Sequence, residues 1–269
     1  MSIIRGWHRS WPYNRWPDEP FELNRNSPQA EGLVAWWPPL GSRGAGKLLD
    51  YGGRGNVATH YSTVVGQPDS RFGWGLDLQS TAAQLRPTSD IVLADNTPWT
   101  VALWCKTASD ISVTYRGIYG NRYTSGKYTR FLTWQDDLGT LKLYNDSNNL
   151  LGTWSSVLQN STYYHIALVC DGTNANNLKL YVDGINRGTK TAANISPQTI
   201  AILGSYSPTS GSWYAPIFDF RICRAALSSQ VIWQMVHDKK WDLYKPLRRF
   251  WAVRGPVYVQ RKESYAFVM

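Results

Sequence analysis

Glutamate is scarce in this 269-residue chain: there are four, at positions 19, 22, 31 and 263, and none between Gly32 and Leu227. Glycoside hydrolysis needs two carboxyl groups facing one bond, about 5 Å apart in retaining enzymes. The neighbouring Asp136 and Asp137 cannot supply them, because consecutive strand residues point to opposite faces. Histidine is nearly as rare, and His8, His60, His165 and His237 have no metal-type spacing; no Gly-x-Ser-x-Gly sequence occurs. The chain is therefore expected to have no catalytic residues and not to be an enzyme. Gly41-Ser-Arg-Gly-Ala-Gly-Lys47 imitates a phosphate loop, but Leu48 stands where a magnesium-binding hydroxyl is required. The three cysteines, Cys105, Cys170 and Cys223, are an odd number without metal spacing, each inside an expected strand, which makes them reduced core residues. No 18-residue apolar run and no apolar N-terminal stretch is present, so the expectation is no membrane partner and synthesis in a cytoplasm without a signal peptide.

Aromatic residues, by contrast, are abundant, with Trp 14 and Tyr 16. So many broad amphipathic rings imply contact surface beyond what one core uses. The net charge of +9 is uneven: residues 1–31 are neutral, whereas residues 226–269 carry eight basic against three acidic groups. In that tail Trp241, Tyr244, Phe250, Trp251 and Tyr258 interrupt the cations, a pattern of protein docking rather than of nucleic-acid binding.

Between Gly32 and Arg224 short alternating runs are separated by Gly, Asn, Asp, Ser and Pro clusters. Strands are expected near 33–37, 74–78, 99–106, 116–121, 129–134, 140–144, 163–170, 177–183, 199–203 and 216–223. Leu178, Leu180 and Val182 alternate with polar neighbours, and Asp183-Gly184 is the pair a type I′ hairpin favours. In Tyr163–Cys170 both alternating sets are apolar, which puts that strand between two layers. One helix is expected, Ser228–His237, with Ser228 or Ser229 as N-cap and Val231, Ile232, Met235 and Val236 as its apolar stripe. The reading is an all-β, two-sheet antiparallel jelly-roll sandwich over 32–227. An extended aromatic and Pro-rich arm (1–31) precedes it, and a short helix with a basic docking tail (228–269) follows.

Four pieces in order carry a family resemblance: Gly32-Leu-Val-Ala-Trp-Trp-Pro-Pro-Leu40; Phe72-Gly-Trp-Gly-Leu-Asp-Leu78 with Pro98-Trp-Thr-Val-Ala-Leu-Trp-Cys105; the Tyr164 to Gly184 hairpin; and Ile202-Leu-Gly204 with Ile217-Phe-Asp-Phe-Arg-Ile222. The chain resembles laminin G-like proteins of the concanavalin A-like lectin and glucanase fold. Laminarinase-type members of that fold use a Glu-x-Asp-x-x-Glu pattern that is missing here. The ending Trp241-Asp-Leu-Tyr-Lys-Pro-Leu-Arg-Arg249 is similar to docking tails of laminin G-like proteins of tailed bacteriophages.

The resemblance implies a structural protein on the virion surface, a capsid decoration or head-associated protein. Its termini would dock to capsid or neighbouring subunits through Trp7, Trp11, Trp16, Trp241, Tyr244, Arg248, Arg249 and Trp251, since Trp, Tyr and Arg dominate interface hot spots. A homo-oligomer is expected, and nucleic acid is not a partner. The alternative is a glycan-binding module, a tail adhesin or lectin, using Tyr119, Asn121, Tyr123, Trp134, Trp154, Trp213 and Tyr214 to stack on and hydrogen-bond a bacterial surface glycan. No cofactor is expected; laminin G-like modules often bind calcium, for which Asp171 and Asn174 offer oxygen donors, with Asp95 and Asn96 as a second group.

Overall fold

The computed structural model describes residues 21–38, 47–62, 64–69, 73–78, 80, 82–109, 116–121, 130–133, 139–145, 147, 149–172, 177–192, 198–205, 213, 215–237 and 243–246. The strands in its first half are β1 (Phe21–Leu23), β2 (Leu33–Trp37), β3 (Lys47–Leu48), β4 (Ala58–Tyr61), β5 (Val64–Asp69), β6 (Gly73–Leu78), β7 (Gln84–Pro87), β8 (Ile91–Leu93), β9 (Trp99–Lys106), β10 (Arg116–Gly120) and β11 (Arg130–Thr133). Its second half holds β12 (Leu141–Tyr144), β13 (Leu150–Trp154), β14 (Tyr163–Cys170), β15 (Asn177–Val182), β16 (Ile185–Thr191), β17 (Gln198–Ile200), β18 (Ile202–Leu203), β19 (Pro216–Cys223), helix α1 (Ser229–His237) and β20 (Tyr244–Pro246).

Two large antiparallel sheets form the sandwich. The first runs β16-β15-β14-β9-β19-β6-β5, with β2 pairing the second half of β19 beyond β6. The second runs β13-β12-β11-β10-β18-β7-β4-β3. Their facing sides meet in one core that includes Trp37, Leu85, Trp99, Val101, Leu103, Phe131, Leu143, Ile166, Leu168 and Ile222. Burial of each such side chain stabilises the fold by about 1.5 to 3 kcal/mol before chain entropy is counted.

The apolar runs of β9, β14 and β19 are explained by a third layer. Ala102, Ala167, Val169 and Cys223 point away from the core, and there they meet Leu33, Trp36, Tyr181, Leu227 and the apolar stripe Val231, Ile232 and Met235 of α1. Ala102 and Ala167 face each other across β9 and β14, and their small side chains let this layer come close. Ser228 caps α1, its hydroxyl accepting the Val231 N–H at 3.3 Å. At the β15–β16 turn Asp183 and Gly184 both have positive φ, 53° and 78°, as a type I′ turn requires. The Asp183 carboxylate accepts the His165 N–H at 2.8 Å, tying the turn to β14.

Three features depart from the sequence reading. The segment expected over 199–203 is two strands: β17 pairs with β8, while β18 joins β10 and β7 in the second sheet. Residues 21–31 are part of the folded body rather than arm: β1 pairs with β20, and a 3-10 turn at Pro28–Ala30 packs its Gln29 fully inside. For the same reason residues 243–246 belong to the body, with Leu243 buried in the third layer and its carbonyl accepting the Asn24 N–H at 2.8 Å.

Candidate functional site

The aromatic residues expected to stack on sugar are placed mostly inside. Tyr119 is 0% exposed, its ring 5.7 Å from that of Phe131 in the core. Trp154 is 3% exposed and donates its indole N–H to the Gly188 carbonyl at 3.1 Å. Trp213 is 1% exposed, its indole N–H bonded to the Lys106 carbonyl at 2.7 Å and its own carbonyl accepting Arg116 Nη1 at 3.4 Å. These three rings have no free face for a pyranose, which corrects the expected platform; they join strands to one another. Asn121 is buried at the end of β10. Tyr123, Trp134 and Tyr214 lie outside the described residues.

The calcium candidates do not assemble a site among the described residues. Both carboxylate oxygens of Asp171 are engaged by Asn177, one by its backbone N–H at 3.1 Å and the other by its amide at 2.8 Å. Asp95 accepts the Asn96 N–H at 3.0 Å, as a turn carboxylate does. Calcium takes roughly six to eight oxygens, and the described residues hold no group of three or more His, Cys, Asp or Glu. Asn174 lies outside them. The cysteines are buried and free; burial pushes the Cys170 thiol up to about 11 and the Cys223 thiol up to about 12.

Of the docking residues, Tyr244 lies in β20, opposite Leu23. Trp7, Trp11, Trp16, Trp241, Arg248, Arg249 and Trp251 lie outside the described residues.

Beneath β1 and the 3-10 turn sits a buried polar cluster the sequence did not single out. Arg221 makes a two-pronged pair with Asp219, Nη2 to Oδ2 at 2.6 Å and Nε to Oδ1 at 3.0 Å. Trp36 donates its indole N–H to the same Oδ1 at 2.6 Å, and Arg221 Nη1 reaches Gln29 Oε1 at 3.0 Å. Asp219 takes φ 52° at a register break between Phe218 and Arg221. The break turns Asp219 and Arg221 to the outer side, where they bind the N-terminal segment to the first sheet. Its sequence signal was two charges of opposite sign, Asp219 and Arg221, within an otherwise apolar strand.

Accessible side chains of binding type sit elsewhere. On the outer face of the second sheet, Tyr61 is 46% exposed with the Arg86 guanidinium 3.5 Å from its ring centroid. On the helix side, Trp233 is 51% exposed and stacked on His237, centroids 4.3 Å apart. Trp233 was legible as the ring opposite the apolar stripe of α1; Tyr61 was not, because Ala58–Tyr61 does not stand out as a strand.

No curated protein sequence matches this chain. Among solved structures, domain 4 of AbnA, an extracellular arabinanase from Geobacillus stearothermophilus solved with arabinotriose, aligns with TM-score 0.58 and 14% identity, over 76% of this chain and 98% of that one. The Botulinum neurotoxin serotype D ligand binding domain, solved with N-acetylneuraminic acid, aligns with TM-score 0.56 and 12% identity over 78% of this chain and 51% of that one. The binding domain of Paraclostridial Mosquitocidal Protein 1 aligns with TM-score 0.55 and 13% identity over 77% and 52% respectively, so the chain spans about half of each toxin domain. At these identities the likeness is one of fold. The family model for the laminin G-like domain of the concanavalin A-like lectin and glucanase superfamily matches residues 78–232, more than half of the chain, from the end of strand β6 into the first half of helix α1, and the protein belongs to that family.

Proposed function

We propose that this protein is a non-enzymatic adhesion module of a tailed-bacteriophage virion, a capsid decoration or head-associated protein held by its two terminal segments with the sandwich displayed outward. The pairing of β1 with β20 is the observation that carries the reading. Phe21 and Pro246, the first and last described residues, face each other across this pair, on the helix side of the first sheet. Two aromatic segments of opposite chain ends thus start from one place, and the second sheet faces the other way. Trp7, Trp11 and Trp16 would act with Arg248, Arg249 and Trp251 as one composite anchor, the basic residues meeting an acidic capsid surface.

The test is co-sedimentation with phage capsids of the full chain and of chains lacking residues 1–20, 247–269 or both. The expected result is capsid binding that falls on either truncation and vanishes with both. Undiminished binding by the doubly truncated chain would overturn the anchor.

A second reading is favoured by the arabinotriose and N-acetylneuraminic acid complexes of proteins with this fold: the sandwich is a carbohydrate-binding module, with a bacterial surface glycan as its partner. It predicts polysaccharide retention that survives both truncations. The absence of glutamate from 32–227 supports binding without hydrolysis, and an undetectable release of reducing ends from a panel of glucans and arabinans is the expected result.

A further inference from the structure

We infer that the outer face of the second sheet, at β3, β4 and β7, is a binding site for an acidic saccharide, recognised through a carboxylate on its ring; this rests on the carbohydrate-binding reading above. Leu85 points into the core, so Arg86 points out. The register places Lys47 opposite Thr59 and Thr59 opposite Arg86, one rung across three strands on the outer side, with Tyr61 on the next rung opposite Gln84. Of these positions Lys47, Thr59, Tyr61 and Arg86 reach the surface, with two cations, a hydroxyl and an aromatic ring and no acid, while Gln84 is fully buried.

Arg86 is the centre of the site. Its guanidinium lies on the Tyr61 ring, and its Nε is enclosed without a hydrogen-bond partner. A cation lying on a ring and partly stripped of water interacts more strongly with a carboxylate on its Nη1–Nη2 edge than a fully hydrated one does. Stacking on Tyr61 also holds the planar fork in place before a ligand arrives, which lowers the ordering cost of binding. The guanidinium and ring together make a flat, weakly hydrated surface for the C–H face of a pyranose. Lys47, exposed at the sheet edge, supplies a second positive charge along the chain of sugars.

The experiment is affinity electrophoresis of the full chain in gels containing polygalacturonate, neutral dextran, neutral arabinan or duplex DNA. The variants are Arg86→Gln, Arg86→Lys, Tyr61→Ala and Arg248→Gln/Arg249→Gln, each checked for folding by circular dichroism. The expected result is retention by polygalacturonate above both neutral polymers and DNA. It should weaken about tenfold in Arg86→Gln, as loss of a two-pronged charged contact does, and comparably in Arg86→Lys, which keeps charge without the fork. The tail double variant should bind as the parent does. Retention of polygalacturonate that Arg86→Gln leaves unchanged, or that only the tail variant abolishes, would overturn the site. Equal retention by DNA would reassign the surface to polyanions in general and also overturn it. Binding of dextran or arabinan unaffected by Arg86 would overturn the acidic-saccharide site and leave carbohydrate binding standing, whereas no retention by any polysaccharide would sink both.

Discussion

The outer faces of the two sheets differ in how they meet their surroundings. The first is roofed by α1, β1 and β20 over a layer of Trp36, Val169, Tyr181 and Leu227, with the Asp219–Arg221 pair enclosed beneath. The second carries Thr59, Tyr61 and Arg86, accessible or half-accessible, along strands whose inward positions include Ala58 and Leu85. Strands apolar on both alternating sets must be covered twice, whereas strands with one polar set leave a face for water or a ligand. One sandwich thereby has one face covered by its own chain and one with side chains open to solvent.

Breaking the roofed side should have the largest effect. Asp219→Ala leaves Arg221 buried without its carboxylate and should destabilise by about 3 to 5 kcal/mol in urea unfolding. Asp219→Asn keeps an acceptor and tolerates positive φ, so it should lose less. Trp213→Ala, if the ring is structural as its burial indicates, should cost about 3 to 5 kcal/mol through the cavity and the lost indole bond. Its thermal midpoint would then fall sharply, and a loss of glycan binding with stability unchanged would contradict that role.

The buried thiols sharpen the contrast with the open face through pH. Because burial raises Cys170 to about 11 and Cys223 to about 12, against an ordinary 9.0, the unfolded chain loses these protons first. Their stabilisation is therefore complete below pH 9 and declines as pH rises toward 11 and 12. Cys170→Ala should flatten the fall in unfolding free energy between pH 9 and 11. His60, lowered by desolvation, acts in the opposite direction: its contribution is present above its ordinary 6.5 and is lost as pH falls below it.

Smaller effects are expected at the margins. Ser228→Ala removes the α1 cap and should cost about 1 kcal/mol. On the open face, Arg86→Gln and Tyr61→Ala should each change stability by about 0.5 kcal/mol or less. An equal loss on both faces would remove the distinction.

The strands expected over 33–37, 99–106, 163–170 and 216–223 coincide with β2, β9, β14 and β19 residue for residue, because long apolar runs leave little choice of structure. By contrast, β4, β7 and β13 were not foreseen. Gln84-Leu-Arg-Pro has one aliphatic side chain and becomes a strand because β4 and β18 offer it edges. Exposure of individual rings was equally hidden. A register shift between Gly117 and Tyr119 turns Tyr119 toward the core, and alternation cannot show a break in itself. The arm illustrates the same limit, since the side-chain bond to Gln29 comes from Arg221, 192 residues away.

Sequence alone determined the sandwich, its hairpin, its capped helix, its reduced cysteines and its lack of paired glutamates, because these follow from local periodicity, turn chemistry and composition. Tertiary structure decided which aromatic rings are buried, that β1 and β20 pair, and that Tyr61 and Arg86 meet on the outer face of the second sheet. Those outcomes depend on register and on partners distant in the chain, which no local pattern encodes.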